Sequence, residues 1–128
     1  MTHQDIAIGA LTAWRENRGG GTPGMQSVLN VLQNRATHRD TSVYHEAVRP
    51  MQFSSMTAKG DPNLTLFPAD GDPQWAMALI LAGQMADQGL QDITGGATSY
   101  YALSMKEPPY WAATMTQTVT IAGQVFFK

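Results

Sequence analysis

A chain of 128 residues, 43% hydrophobic and 14% charged, suits one domain with a buried core and is too apolar for a disordered segment. Its formal net charge of −2 gives no electrostatic case for a nucleic-acid or membrane partner, and the absence of cysteine removes disulfide and thiolate chemistry. No apolar run is long enough to span a bilayer, and the start MTHQDIAIGALTAW lacks the succession of a secretory signal, so the chain reads as made in the cytoplasm.

Ile6, Ala7, Ala10, Leu11 and Trp14 recur at helical spacing and predict a first helix from Gln4 to Arg18. Thr22 then reads as an N-cap with Pro23 at the first position of a second helix, whose apolar face is Met25, Val28, Leu29, Leu32 and Ala36. TSVYHEAV predicts a short helical piece. Residues Arg49 to Gly71 are rich in Pro, Gly, Asp and Ser and read as a long irregular loop, a common setting for a binding surface. Asp72 and Pro73 cap a third clear helix that runs through Leu79, Ile80 and Leu81 to a stop near Gly89. TSYYAL predicts an extended segment. TVTIAGQVFFK alternates on either side of Ala122-Gly123 and predicts a small hairpin. The fold class is mainly α (α+β), a single domain over residues 1–128 with a small β element near the C-terminus.

The candidate chemistry narrows by elimination. His3, His38 and His45 have neither helical ligand spacing nor paired carboxylates, so no metal and no cofactor is expected. There is no Gly-x-Ser-x-Gly elbow, and RGGGTPG lacks both the Lys-Ser/Thr ending and the preceding strand of a phosphate loop. Carboxylates remain. Of the glutamates, Glu46 reads as part of a solvated face and Glu107, in KEPPYW, as a loop charge. Glu16 differs. It sits at the end of the first helix, where a carboxylate opposes the helix dipole, between Arg15 and Arg18 and before Gly19 to Gly21. Two readings stay open: an ion pair or cap with Arg18 or the next helix, or an acid whose partial burial near Trp14 suits it to donate a proton.

Four blocks carry a resemblance. ENRGGGTPGMQSVLNVLQNRA (Glu16 to Ala36) resembles the first motif of the SleB/CwlJ-type cell wall hydrolases, with Glu16, Arg18, Gly19, Gly24, Val28, Asn34 and Arg35 in register. RPMQFSS (Arg49 to Ser55), DITGGATSYYAL (Asp92 to Leu103) and WAATMTQTVTIAGQVFF resemble the later blocks and follow in family order. Four positions depart: the motif's second glutamate is Gly20, the tryptophan after Gln-Phe-Ser is Ser55, the asparagine after Tyr-Tyr is Ala102 and the late histidine is Gln124.

The resemblance implies a lysozyme-like or transglycosylase-like fold acting on peptidoglycan glycan strands, with Glu16 as the catalytic acid. The cleaved bond would be the β-1,4 link from N-acetylmuramic acid to N-acetylglucosamine. Gln52, Phe53 and Ser54 would line the cleft, with Phe53 alternatively plugging the core. Thr98, Tyr100 and Tyr101 would form the opposite wall, one tyrosine being core and alternation sending the other, or Thr98, to the cleft. Trp111 would stack on a sugar or simply pack, and Arg18 is a further candidate substrate contact. Asn34 and Arg35 read as structural or supporting residues. A single well-placed glutamate favours a lytic transglycosylase giving 1,6-anhydro-muramic acid ends. A muramidase would need a second carboxylate from Asp40, Asp61 or Asp70. A non-catalytic wall-binding module and a zinc amidase are the competing classes. A monomer is expected, released on the wall as a phage endolysin or delivered by another route such as a secretion system.

Overall fold

The computed structural model describes residues 1–128 and opens with α1 (His3–Asn17), started by a reciprocal cap in which Thr2 and Asp5 each accept a hydrogen bond from the other's backbone N–H. The second Asp5 oxygen accepts from the Tyr44 N–H at 2.8 Å, which ties the start of α1 to α3 (Val43–Ala47). Ser42 caps α3 through the His45 N–H.

Arg18–Gly20 forms one 3-10 turn and α2 (Gly21–Arg39) follows at once with Gly20 as its N-cap, so Thr22 lies inside the helix rather than capping it. The reason is close approach. A Cβ at Gly20 would lie 2.7 Å from Asn17 Oδ1 and 2.8 Å from Ala122 Cβ, and one at Gly24 2.8 Å from Asn17 Nδ2. Asn17 therefore fills the joint between the two helices, and its Nδ2 donates to Gln124 Oε1 at 3.2 Å.

α1 lies against both α2 and α5 (Pro73–Asp87), the latter started by Asp72, whose carboxylate accepts from the Gln74 and Trp75 N–H groups. Ala10, Ala13 and Trp14 of α1, Met25, Leu29 and Leu32 of α2, and Ala78, Leu81 and Met85 of α5 meet in one core. The apolar stripe read on α2 is the face that meets its neighbours, whereas Ala7 on α1 and Leu79 and Ile80 on α5 are exposed. The loop between α3 and α5 is more ordered than its composition implies. It contains α4 (Ser54–Thr57) and a 3-10 turn at Pro62–Thr65, whose Asn63 N–H donates to the Asp61 side chain.

The predicted extended segments form an antiparallel sheet in the order β1-β3-β2, from β1 (Ser99–Ala102), β2 (Gln117–Ile121) and β3 (Gln124–Phe127). Ala122 and Gly123 both have positive φ, 49° and 81°, the backbone that a two-residue hairpin turn demands. Side chains of α2 hold the chain entering β1: Asn30 donates to the Gln91 carbonyl and accepts from Ile93, and Asn34 donates to the Ala97 carbonyl.

Glu46 departs from its reading as a solvated charge. It is fully buried, pairing with Arg39 at 2.8 Å and Arg49 at 2.7 Å and accepting from the Thr41 hydroxyl at 2.6 Å. Burial alone would raise its pKa, but the Arg49 and Thr41 hydrogen bonds and the Arg39 charge hold it below the ordinary glutamate range.

Candidate active site

Glu16, on the last turn of α1, is half-buried at one edge of a cleft of about 420 Å³. Both carboxylate oxygens are held. Oε1 accepts from the Tyr100 hydroxyl at 2.7 Å, and Oε2 accepts a short hydrogen bond from the Ser55 hydroxyl. The donors come from different elements: Tyr100 from β1, Ser55 from α4. Burial first, and the Glu16 carboxylate second, push the Tyr100 phenol well above its ordinary pKa, so it remains a donor at neutral pH.

The supports of these donors are also built in. The Tyr100 ring packs against Phe126, with centroids 5.3 Å apart, and Phe53, at 6.4 Å. Ser55 is buried, and its carbonyl accepts from Arg15 Nη1 at 3.2 Å, while Arg15 Nε donates to the Leu66 carbonyl at 3.0 Å. Arg15 is itself buried on α1, one residue before Glu16, so one helix end positions both the carboxylate and, through the Ser55 carbonyl, the short helix carrying its donor.

Gln52, Phe53 and Ser54 line the cleft, as expected, and Phe53 also belongs to the core, so its two readings coincide. Ser54 donates to Asp61 Oδ2 at 2.7 Å, and that hydrogen bond leads the causes that lower the Asp61 pKa. Tyr100 and Tyr101 both line the cleft, and Tyr100 also packs against the core, as expected of one of the two. Their rings pack on different partners, Tyr101 stacking on Phe127 at 5.6 Å. Trp111 lines the cleft while meeting Phe127 edge-on at 5.4 Å, so it packs and faces the cleft at once.

Two expected contacts are not brought to the cleft. Arg18 turns back over Trp14, its guanidinium 4.3 Å from the ring, and donates to Asn63 Oδ1. Thr98 gives its carbonyl to Arg35 Nε at 2.5 Å and lines a neighbouring hollow. Conversely, Arg35 lines the cleft, its guanidinium 5.0 Å from the Phe53 ring centroid, as does Gln124. Ser55 and Gln124 were visible in the sequence only as departures from a motif, and the structure makes Ser55 the partner of the glutamate. Glu16 is the only carboxylate lining the cleft; Asp40, Asp61 and Asp70 lie outside it. No three side chains among His, Asp and Glu converge as a metal site would need.

Residues 19–127 match the family described as Cell Wall Hydrolase. The chain belongs to that family. It is thus an enzyme acting on cell-wall peptidoglycan. The match begins at Gly19, just past Glu16, so Glu16 is singled out by the cleft rather than by the match. The fold is similar to that of the catalytic domain of the germination-specific lytic transglycosylase SleB from Bacillus anthracis. That likeness has a TM-score of 0.74 at 24% identity and covers 100% of this chain and 97% of that one. The catalytic domain of the Bacillus cereus SleB protein is similar to the same degree, with a TM-score of 0.74, 24% identity, and 100% and 92% coverage. No curated protein sequence matches the chain.

Proposed function

We propose that this cell wall hydrolase is a lytic transglycosylase that cleaves the β-1,4 bond from N-acetylmuramic acid to N-acetylglucosamine. The observation that carries the reading is the lone carboxylate: Glu16, held on both oxygens, is the only acid lining the cleft. Most glycosidases need a second carboxylate to hold a water or form a glycosyl-enzyme. Here the proton on Glu16 passes to the bridging oxygen as the C1–O bond breaks. The muramoyl C6 hydroxyl attacks its own C1, and its proton returns to Glu16, restoring the acid. Proximity favours this intramolecular nucleophile over bulk water. The similarity to a fold described as a lytic transglycosylase agrees with the reading.

The hydrolytic alternative draws on Asp61, which reaches the cleft only through Ser54. Mass analysis of digested peptidoglycan decides between them. Muropeptides lighter by one water and resistant to borohydride are expected; reducible ends without anhydro species would show a muramidase. Host-cell lysis is the proposed role of the cleavage. Export of the chain to a periplasm should clear a culture, whereas a Glu16→Gln chain exported alike should not.

A further inference from the structure

We infer that a basic hollow beside the cleft binds a carboxylate of the peptide stem carried by the muramoyl sugar. This rests on the proposed glycan substrate and adds the part of it that the cleft leaves unaccounted for.

The chain is acidic overall, with a net charge of −2, yet three of its eight Lys and Arg residues and one of its three histidines line a single hollow of about 300 Å³. These are Arg35, Arg39, Lys128 and His38, and no Asp or Glu lines it. Arg39 is neutralised by Glu46, but Arg35, His38 and Lys128 form no ion pair. Arg35 is 8% exposed, and its buried Nη1 has no hydrogen-bond partner. A buried guanidinium with an unmatched donor is costly, and a carboxylate bound beside it in the hollow offsets its charge. Lys128 is held in place by paired backbone hydrogen bonds with Thr116, both of 2.9 Å, while its side chain is exposed.

Position gives the ligand its class. Arg35 and Gln52 line both the hollow and the cleft, so the two are immediate neighbours. A muramoyl sugar with its anomeric carbon at Glu16 carries, on its C3 lactyl ether, a peptide with free carboxylates. The glycan alone has no charge to offer Arg35 and Lys128.

The test measures binding to the Glu16→Gln protein, so that substrate survives. The probes are a glycan oligomer bearing stems, the same oligomer with stems removed, and one whose stem carboxylates are amidated. The stem-bearing oligomer should bind about tenfold more tightly than the other two. Lys128→Glu, outside the cleft, should remove about fivefold of that preference, the scale of one exposed charge contact, His38→Gln should remove a smaller part through the loss of a ring contact, and both should leave binding of the stem-free oligomer unchanged. Equal binding of all three probes would overturn the inference, as would a preference that survives both substitutions. Failure of the underlying glycan reading is distinct: no oligomer would then bind and the wild type would cut none, which overturns both.

Discussion

At the residue scale, the problem is how one carboxylate both gives and takes a proton without a second acid. Tyr100 and Ser55 orient it for both transfers, since each fixes one oxygen from its own structural element. Replacing Glu16 by Gln keeps the shape and removes the acid. Clearing of a peptidoglycan suspension should fall by about a thousandfold, within the range for loss of a general acid, with near-UV circular dichroism unchanged. A near wild-type rate would refute the role. Tyr100→Phe keeps the ring between Phe53 and Phe126 and removes only the hydroxyl. Its kcat should drop about tenfold with KM little changed, consistent with one hydrogen bond to a charged group. Ser55→Ala should do the same, and the double substitution should cost less than the product, because both donors act on one carboxylate. Glu16 was legible in the sequence because it breaks a local rule and sits in a motif. Its two donors, 39 and 84 residues away, were not legible as donors, because no local pattern reports which hydroxyl the fold brings to it.

At the element scale, the long helices could be read from the sequence because periodicity and caps act within a few residues: Asp72-Pro73 starts α5, and Ala122-Gly123 turns the hairpin. The start of α2 could not, because Gly20 is fixed by a neighbour distant in sequence. Its missing side chain lets the Ala122 turn and Asn17 close over it. The resembled motif's second glutamate falls at this position, and the same contact explains why a side chain there is costly with the hairpin so placed. Gly20→Glu should therefore destabilise the protein by about 2 kcal/mol through overpacking. That corresponds to a fall of roughly 5–10 °C in Tm for a domain of this size. Adding Ala122→Gly should recover part of the loss beyond what Ala122→Gly gives alone, a coupling that a double-mutant cycle reads directly. Additive effects would show that the two sites do not touch. Glu46 teaches the same lesson. Its charge suggested solvent, whereas Arg39 from the end of α2 and Arg49 from the loop beyond α3 close over it.

Across the whole molecule, the joints between elements are carried by carboxylates, and this sets how the fold answers to pH. Asp5 joins α1 to α3, Glu46 joins α2 to α3 and the following loop, and Asp92 joins α2 to the approach to β1 through Asn34 and the Thr94 and Gly96 N–H groups. In each, desolvation pushes the pKa up, and hydrogen bonds outweigh it: Thr2 and Tyr44 at Asp5, Arg49 and Thr41 at Glu46, Thr94 and Asn34 at Asp92. All three are thus lowered in the folded state. The unfolded chain then binds more protons as pH falls through the ordinary Asp and Glu values of about 3.9 and 4.3, so stability is complete above that range and lost progressively below it. The urea midpoint should be flat from about pH 5.5 upward as far as these three groups contribute, and should fall steeply below about pH 4. Glu46→Gln should lower the midpoint at pH 7 by an amount equivalent to about 2 kcal/mol, since two arginines lose a charged partner. It should also make the acid limb shallower, because one proton-linked group is gone. A Glu46→Gln protein with the wild-type acid slope would show that this buried glutamate is not coupled to folding, and the slope would then have to come from Asp5 and Asp92.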